Sequence, residues 1–363
     1  MEKNFDLITM GEILLRLSPP GAERLVRSAV FEKQAGGSEL NVASGAALLG
    51  LRTGVFSKLP ANAMGTYIKN SIRYAGVSDD CLSYDNAPGA RLGLYYYETG
   101  AAPRKPSIVY DRAGSSMTRI TLDDLPACIY GKARMFHTSG ITLALGENVR
   151  GAAFEAARRF KAAGAHISFD INYRANLWDE AEARRVITEF LPLVDVLFVS
   201  EESSRRMFQK TGTLEEIQKS YCAEYGVKIV ATTQRTVQSP KKHDFTSVIY
   251  SAERDAFYRE APYRDIDVVD RIGSGDAYCA GVLYGLLQYD DCARALAYGN
   301  ACSSVKNTIP GDMPLSDLAE IENVKAKDAP RRSGDELVWK PAGDDVYYRG
   351  KSAKSLPFSV SVS

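Results

Sequence analysis

Short apolar runs alternate with helix-length segments along most of this chain. Residues 5–10 read as a buried strand that stops at Gly11-Glu12. Residues 38–49 follow a Gly36-Gly37 turn and carry small and apolar side chains at helical spacing; 55–59 are strand-like and 65–75 helical. From Met135 the rhythm becomes regular. Strands at 135–137, 167–170, 196–199 and 228–232 alternate with helices at about 147–164 and 179–191, the first with Val149, Ala153, Ala156, Phe160 and Ala163 on one stripe. Such alternation predicts an α/β fold with a mainly parallel sheet flanked by helices on both faces. Strand-like pieces at about 13–34 and 91–112 break the rhythm and predict a small separate sheet. Placed over the carboxyl ends of a parallel sheet, it would act as a lid. After about residue 328 the periodicity fails, so 1–327 form the expected domain and 328–363 a tail, with a short strand around 345–349.

Composition narrows the partners. The 363 residues hold 45 basic and 45 acidic side chains with no long block of either sign, which favours neither nucleic acid nor an anionic membrane as partner. Six cysteines form no Cys-x-x-Cys pair, and the histidines at 137, 166 and 243 stand apart from them, so zinc is not expected. The first residues lack the apolar core of a signal peptide, and no run approaches membrane-spanning length. A cytoplasmic protein is the expectation.

The chemistry concentrates at Asp270-Arg-Ile-Gly-Ser-Gly-Asp276, between a strand-like run at 263–269 and a helix-like run at 278–287. A strand entering a Gly-Ser-Gly turn that opens a helix presents unpaired N–H groups and the positive end of the helix dipole. Alone, the tetrapeptide is also an ordinary helix cap. An acid inside an anion-binding turn gains meaning if Asp276 takes a proton from a hydroxyl. The N–H groups of Gly273, Ser274 and Gly275 would then stabilise a phosphoryl group in transfer. Tyr278 stands where a dinucleotide fingerprint needs its third glycine, and the chain has no Gly-x-x-x-x-Gly-Lys-Ser/Thr.

Other motifs accompany this one in order. Gly36-Gly37-Ser-Glu-Leu-Asn41, then Leu49-Gly50-Leu and Gly65, resembles the N-terminal signature of the PfkB (ribokinase-like) sugar kinases, and 270–276 their C-terminal signature. Gly11-Glu12-Ile-Leu-Leu-Arg-Leu-Ser-Pro-Pro20, Val109-Tyr-Asp-Arg112, Ser168-Phe-Asp-Ile-Asn-Tyr-Arg174 and Asn307-Thr-Ile-Pro-Gly-Asp312 resemble the 2-keto-3-deoxygluconate kinase branch. The resemblance spans about residues 5–325. It implies a ribokinase-like fold, a Rossmann-like three-layer sandwich with a β lid, and an ATP- and Mg2+-dependent kinase acting on a primary hydroxyl of a sugar acid. It also implies Asp276 as base and Arg174 on substrate or nucleotide phosphate. Gly36, Gly37, Asn41, Asp170 and Asn172 would meet the sugar, Tyr95, Tyr97 and Tyr110 would cover it, and Arg112 would grip its carboxylate. Asp270 and a carbonyl near Ile272 would help hold K+ or another monovalent cation. A homodimer through the lid is a further expectation.

Two departures stand out. Relatives often carry Asn-x-x-Glu where this chain has Ser200-Glu201-Glu202-Ser203, which leaves Glu202 as a substitute for the Mg2+-water position. The stretch Ala231-Thr-Thr-Gln-Arg-Thr-Val237 lacks the usual glycines of the nucleotide loop. Thr232, Thr233, Arg235 and Asn300 are the nucleotide-side candidates. A neutral-sugar or nucleoside kinase, or a non-catalytic ligand sensor on the same scaffold, stays open.

Overall fold

The computed structural model describes residues 4–101, 103–125 and 127–328. The expected tail, with its strand at 345–349, lies outside them.

In chain order the strands are β1 (Phe5–Met10), β2 (Leu14–Ser18), β3 (Glu32–Gly36), β4 (Thr53–Pro60), β5 (Leu82–Asp85), β6 (Gly93–Glu98), β7 (Ser107–Asp111), β8 (Ala133–Ser139), β9 (His166–Asp170), β10 (Val196–Phe198), β11 (Ile229–Ser239), β12 (Lys242–Ser251), β13 (Ala256–Arg259) and β14 (Tyr263–Asp267). The helices are α1 (Ser38–Leu48), α2 (Ala63–Tyr74), α3 (Gly140–Leu143), α4 (Glu147–Ala162), α5 (Glu180–Phe190), α6 (Glu201–Arg206), α7 (Leu214–Tyr225), α8 (Ser274–Tyr289), α9 (Cys292–Lys306) and α10 (Leu318–Asp328).

Ten strands make the main sheet in the order β13-β12-β11-β10-β9-β8-β1-β4-β5, with β14 also on β12. From β11 to β5 every neighbouring pair is parallel. Helices cover both faces, and strand alternation divides the core accordingly. Ile8, Met10 and Phe136 point into one cluster with Val149, Ala153 and Phe160 of α4, Val186 of α5 and Tyr221 of α7. Leu7 and Met135, one residue out of step, point into another with Val42 of α1 and the buried sides of α8 and α9. Ala163, expected in the α4 stripe, is the exposed helix cap instead.

The lid is a four-stranded sheet in the order β3-β2-β6-β7, antiparallel except for the β2–β6 pair. Its strands fall in the two predicted windows. One expectation changes: the strand expected at 228–232 runs on as β11 to Ser239 and turns through Pro240-Lys241 into β12. Its outer half is polar and exposed, so periodicity gave no signal for it. The missing glycines of the supposed nucleotide loop now have a reason, because residues 231–237 are paired strand. No helix among the described residues is long and apolar enough to cross a membrane.

Candidate active site

β1, β8 and β9 all end at one edge of the sheet, and two helix starts face them. α8 is capped by Gly273, whose φ of +81° is left-handed; a Cβ there would come within 2.0 Å of the Asp312 carbonyl oxygen. No side chain caps this helix. The N–H groups of Gly273, Gly275 and Asp276 meet no protein acceptor among the described residues, whereas that of Ser274 donates to the Arg271 carbonyl at 3.3 Å. The turn thus offers three N–H groups without a protein acceptor, with that of Asp276 in place of the one expected from Ser274.

Asp276 sits in the first turn of α8. Its Oδ1 accepts from Ser38 Oγ and its Oδ2 from Asn41 Nδ2, each at 2.7 Å. Asn172 Nδ2 donates to the same Ser38 Oγ at 3.0 Å. Asn172 adopts a left-handed φ of +37°, held by its N–H on Asp170 Oδ1 at 3.1 Å. Four residues predicted from three separate motifs therefore meet: Asn41, Asp170, Asn172 and Asp276. Ser38 joins them unpredicted, although it lies inside the glycine-rich motif itself.

Acid crowds this place. Burial raises the Asp276 pKa, and the Ser38 and Asn41 donors pull it back. Burial and then the Asp276 charge push Asp170 up to about 7, with Arg174 opposing. Glu39 lies beneath, buried, and is also pushed up to about 7, chiefly by burial, despite hydroxyl donors from Ser139 (2.6 Å) and Thr142 (2.7 Å) on its Oε1. Its Oε2 has no partner. Arg174 is exposed, bonded among the described residues to the Tyr173 carbonyl at 3.2 Å, and supplies the facing positive charge.

A carboxylate whose folded pKa is raised gives stability that is complete below its unfolded value near 4.5 and lost as pH rises through about 7. Glu39→Gln should therefore raise the melting temperature at pH 8, by roughly 3 kcal/mol in stability at most, and leave it nearly unchanged at pH 4. Equal shifts at both pH values in a thermal melt would show that Glu39 is not the group concerned.

A second buried cluster braces the turn. Arg16, from the middle of β2, donates through Nη1 to Asp270 Oδ2 (2.7 Å) and Asp312 Oδ1 (3.0 Å), all three side chains being nearly inaccessible. Asp270 also accepts from the N–H groups of Ile272 and Gly311, each at 3.0 Å. Tyr95 donates to Asp312 Oδ2, and the Arg16 guanidinium lies 4.3 Å from the Tyr97 ring centre. Tyr95 therefore ties the small sheet to the body directly, and Tyr97 through Arg16. Tyr110 remains exposed. A Cβ on Gly36 would meet Asp312 Oδ2 at 2.0 Å and one on Gly37 the Glu12 carbonyl at 2.3 Å, so both glycines make room for protein.

The monovalent-cation site expected at Asp270 and Ile272 does not fit these residues. Arg16 holds the Asp270 carboxylate, and the Lys306 ammonium sits on the Asp270 carbonyl at 3.3 Å. Two further expectations are corrected, those of Thr232 and Asn300, whereas Thr233 and Glu202 stay candidates. Thr232 is buried and accepts from Gln218 at 3.1 Å; Thr233 is paired in β11 opposite Ser247. Both ends of the buried Asn300 amide are used, by Ser247 Oγ (2.7 Å) and Glu260 (2.8 Å). Glu202 is exposed and paired with Arg206 along α6 at 3.1 Å. Arg235 survives as a nucleotide-side candidate: it is exposed and close enough to Arg271 for the two charges to repel. Arg112 is held by Glu12, Nε to Oε2 at 2.8 Å, while its Nη1 carries no protein partner among the described residues.

Residues 4–317 match the pfkB family carbohydrate kinases. The chain belongs to that family. This kinase is 34% identical to a 2-dehydro-3-deoxygalactonokinase of Haloferax volcanii over 88% of its own length and 96% of the relative's. It resembles the crystal structure of a 2-dehydro-3-deoxygluconokinase from Thermotoga maritima with a TM-score of 0.84 and 32% identity, over 90% of this chain and 99% of that one. An E. coli chain described as a ribokinase II, solved with ATP and Mg2+, shares the fold at a TM-score of 0.76 and 22% identity, over 89% and 99% of the two chains. The kinase thus has the expected ribokinase-like fold and the expected phosphotransferase class.

Proposed function

We propose that this kinase transfers the γ-phosphoryl group of Mg·ATP to a primary hydroxyl of a 2-keto-3-deoxy sugar acid. One observation carries the chemistry: Asp276 is held from both sides by Ser38 and Asn41 beside three unpaired N–H groups at the start of α8. In the proposed reaction Asp276 accepts the hydroxyl proton. The N–H groups of Gly273, Gly275 and Asp276 receive the charge that develops on the phosphoryl oxygens. Arg174, exposed and free of carboxylate partners among the described residues, neutralises the rest. Because the transition state is loose, alignment counts for more than base strength, and two hydrogen bonds on one carboxylate supply it. Mg2+ enters as part of the nucleotide co-substrate.

The substrate class rests on the relatives' activities and on Arg112, which has Nη1 to spare for an acid. Glu12 favours a second reading, a neutral sugar, since it already balances the Arg112 charge. A coupled ADP-release screen separates the two. We expect 2-keto-3-deoxy sugar acids to exceed fructose, ribose and nucleosides at least ~10-fold in kcat/KM. Arg112→Lys, which keeps a cation for Glu12 but loses the fork, should erode that preference about 10-fold. A neutral sugar turned over best, and equally by the variant, would replace the first reading with the second. A homodimer through the lid belongs to the same proposal, supported by the exposed Ile108, Val109 and Tyr110 on β7; a monomer in sedimentation velocity would remove it.

A further inference from the structure

Lys306 closes α9 and is completely buried, an unusual place for an ammonium. Its Nζ donates to the Ile309 carbonyl at 2.9 Å and the Asp270 carbonyl at 3.3 Å. These carbonyls belong to the two segments that frame the phosphate turn, 270–273 and 307–312. The segments are also stitched together by the N–H groups of Val269 and Asp270 on the Asn307 carbonyl, at 2.8 and 3.1 Å. Burial and the nearby Arg16 charge lower the Lys306 pKa, while Asp270, Asp312 and Asp276 pull it upward. The site is thus lined by backbone carbonyl oxygens from two loops, lies at the negative end of α9, and faces carboxylates. Backbone carbonyls arranged in this way suit a weakly hydrated monovalent cation.

Charge counting agrees. Asp270 and Asp312 carry two negative charges, and Arg16 and Lys306 two positive ones, so the cluster balances without a free ion. A dissolved cation added here would meet two resident cations at close range and be repelled by both.

We propose that the Lys306 side chain is a covalently attached monovalent cation: it does the structural and electrostatic work of a bound K+ behind the anion hole. Turnover in this kinase is therefore independent of the alkali cation in solution. Lys306 acts as a positioning residue, since it holds segments 270–273 and 307–312 in register and touches no substrate.

The test compares K+, Na+, NH4+ and tetramethylammonium at constant ionic strength, reading Mg·ATP-dependent turnover and melting temperature. Wild type should vary less than about twofold in rate across the four. In tetramethylammonium, Lys306→Met should lose at least ~10-fold in kcat, and 100 mM K+ or NH4+ should restore part of it. The melting temperature of the variant should rise with K+ or NH4+ and that of wild type should not. Activation of wild type by K+ of about fivefold or more would overturn the proposal. So would a folded variant that keeps full turnover in tetramethylammonium, or a loss that no ion repairs. Should the variant fail to fold, the wild-type comparison decides alone. The activity arm rests on the kinase reading proposed above. The melting arm does not, so it tests Lys306 even in a chain that phosphorylates none of the sugars tried.

Discussion

Asp276→Asn lowers kcat by roughly 10²–10⁴-fold, the range that removal of a general base produces, with KM for sugar and ATP little changed. The reason for the clean split lies in the partners of the carboxylate. Asn fills the same volume, its amide oxygen can accept from Asn41, and the Ser38 hydroxyl can rotate to accept from its amide nitrogen. Removing the Asp276 charge also relieves Asp170 and Glu39, both held up in pKa partly by it. The variant should therefore melt no lower than wild type at neutral pH. Steady-state kinetics beside a thermal melt checks both halves. Turnover near the wild-type rate would take the base role away from Asp276, and a melting temperature many degrees lower would mean that the loss is structural.

The second large effect is on stability. Arg16→Met leaves Asp270 and Asp312 buried and facing each other with their shared guanidinium gone. Breaking a buried pair from one side costs about 3–5 kcal/mol, and here two acids lose their partner at once. A fall of roughly 5–10 °C in melting temperature is expected for a chain of this size. Adding Asp270→Asn to Arg16→Met should recover part of the loss, because the second change removes an orphaned charge. Melting within a degree of wild type for Arg16→Met would show that the cluster rearranges freely.

These two residues mark how far the sequence can be read. Asp276 was legible because a strand, a Gly-Ser-Gly turn and a helix are local features, and the acid falls at a diagnostic place among them. Asn41, Asp170 and Asn172 were legible through their own motifs, and the geometry gathers all of them. Arg16 was not. It looks like the polar position of an alternating strand, and its partners lie 254 and 296 residues further on. Lys306 resembles the basic residue that ends many surface helices, and only burial reveals it. Glu39 and Asp312 stood inside quoted motifs without being singled out, since nothing local says that one goes under the base and the other under the lid. Thr232 and Asn300 failed for the opposite reason. Their polar groups suggested ligand contact, but in the folded chain Gln218 bonds Thr232, and Ser247 and Glu260 bond Asn300. The parallel sheet followed directly from hydrophobic alternation; the β11–β12 hairpin did not, its outer half being polar on both faces.

Helix α1 carries a consequence for how the chain is made. It is buried from Ser38 to Ala46, and its Gly45 leaves just enough space for Ala280 of α8 and for Pro314. Those covering residues leave the ribosome more than 200 residues after α1 does. At a synthesis rate of about 5–20 residues per second, that is on the order of ten seconds or more. Throughout that interval α1 has no native partner for the side that meets α8, and it must be kept from wrong ones. The same pairing that assembles Ser38, Asn41 and Asp276 therefore makes this a protein of high contact order, slow to complete and dependent on its last third.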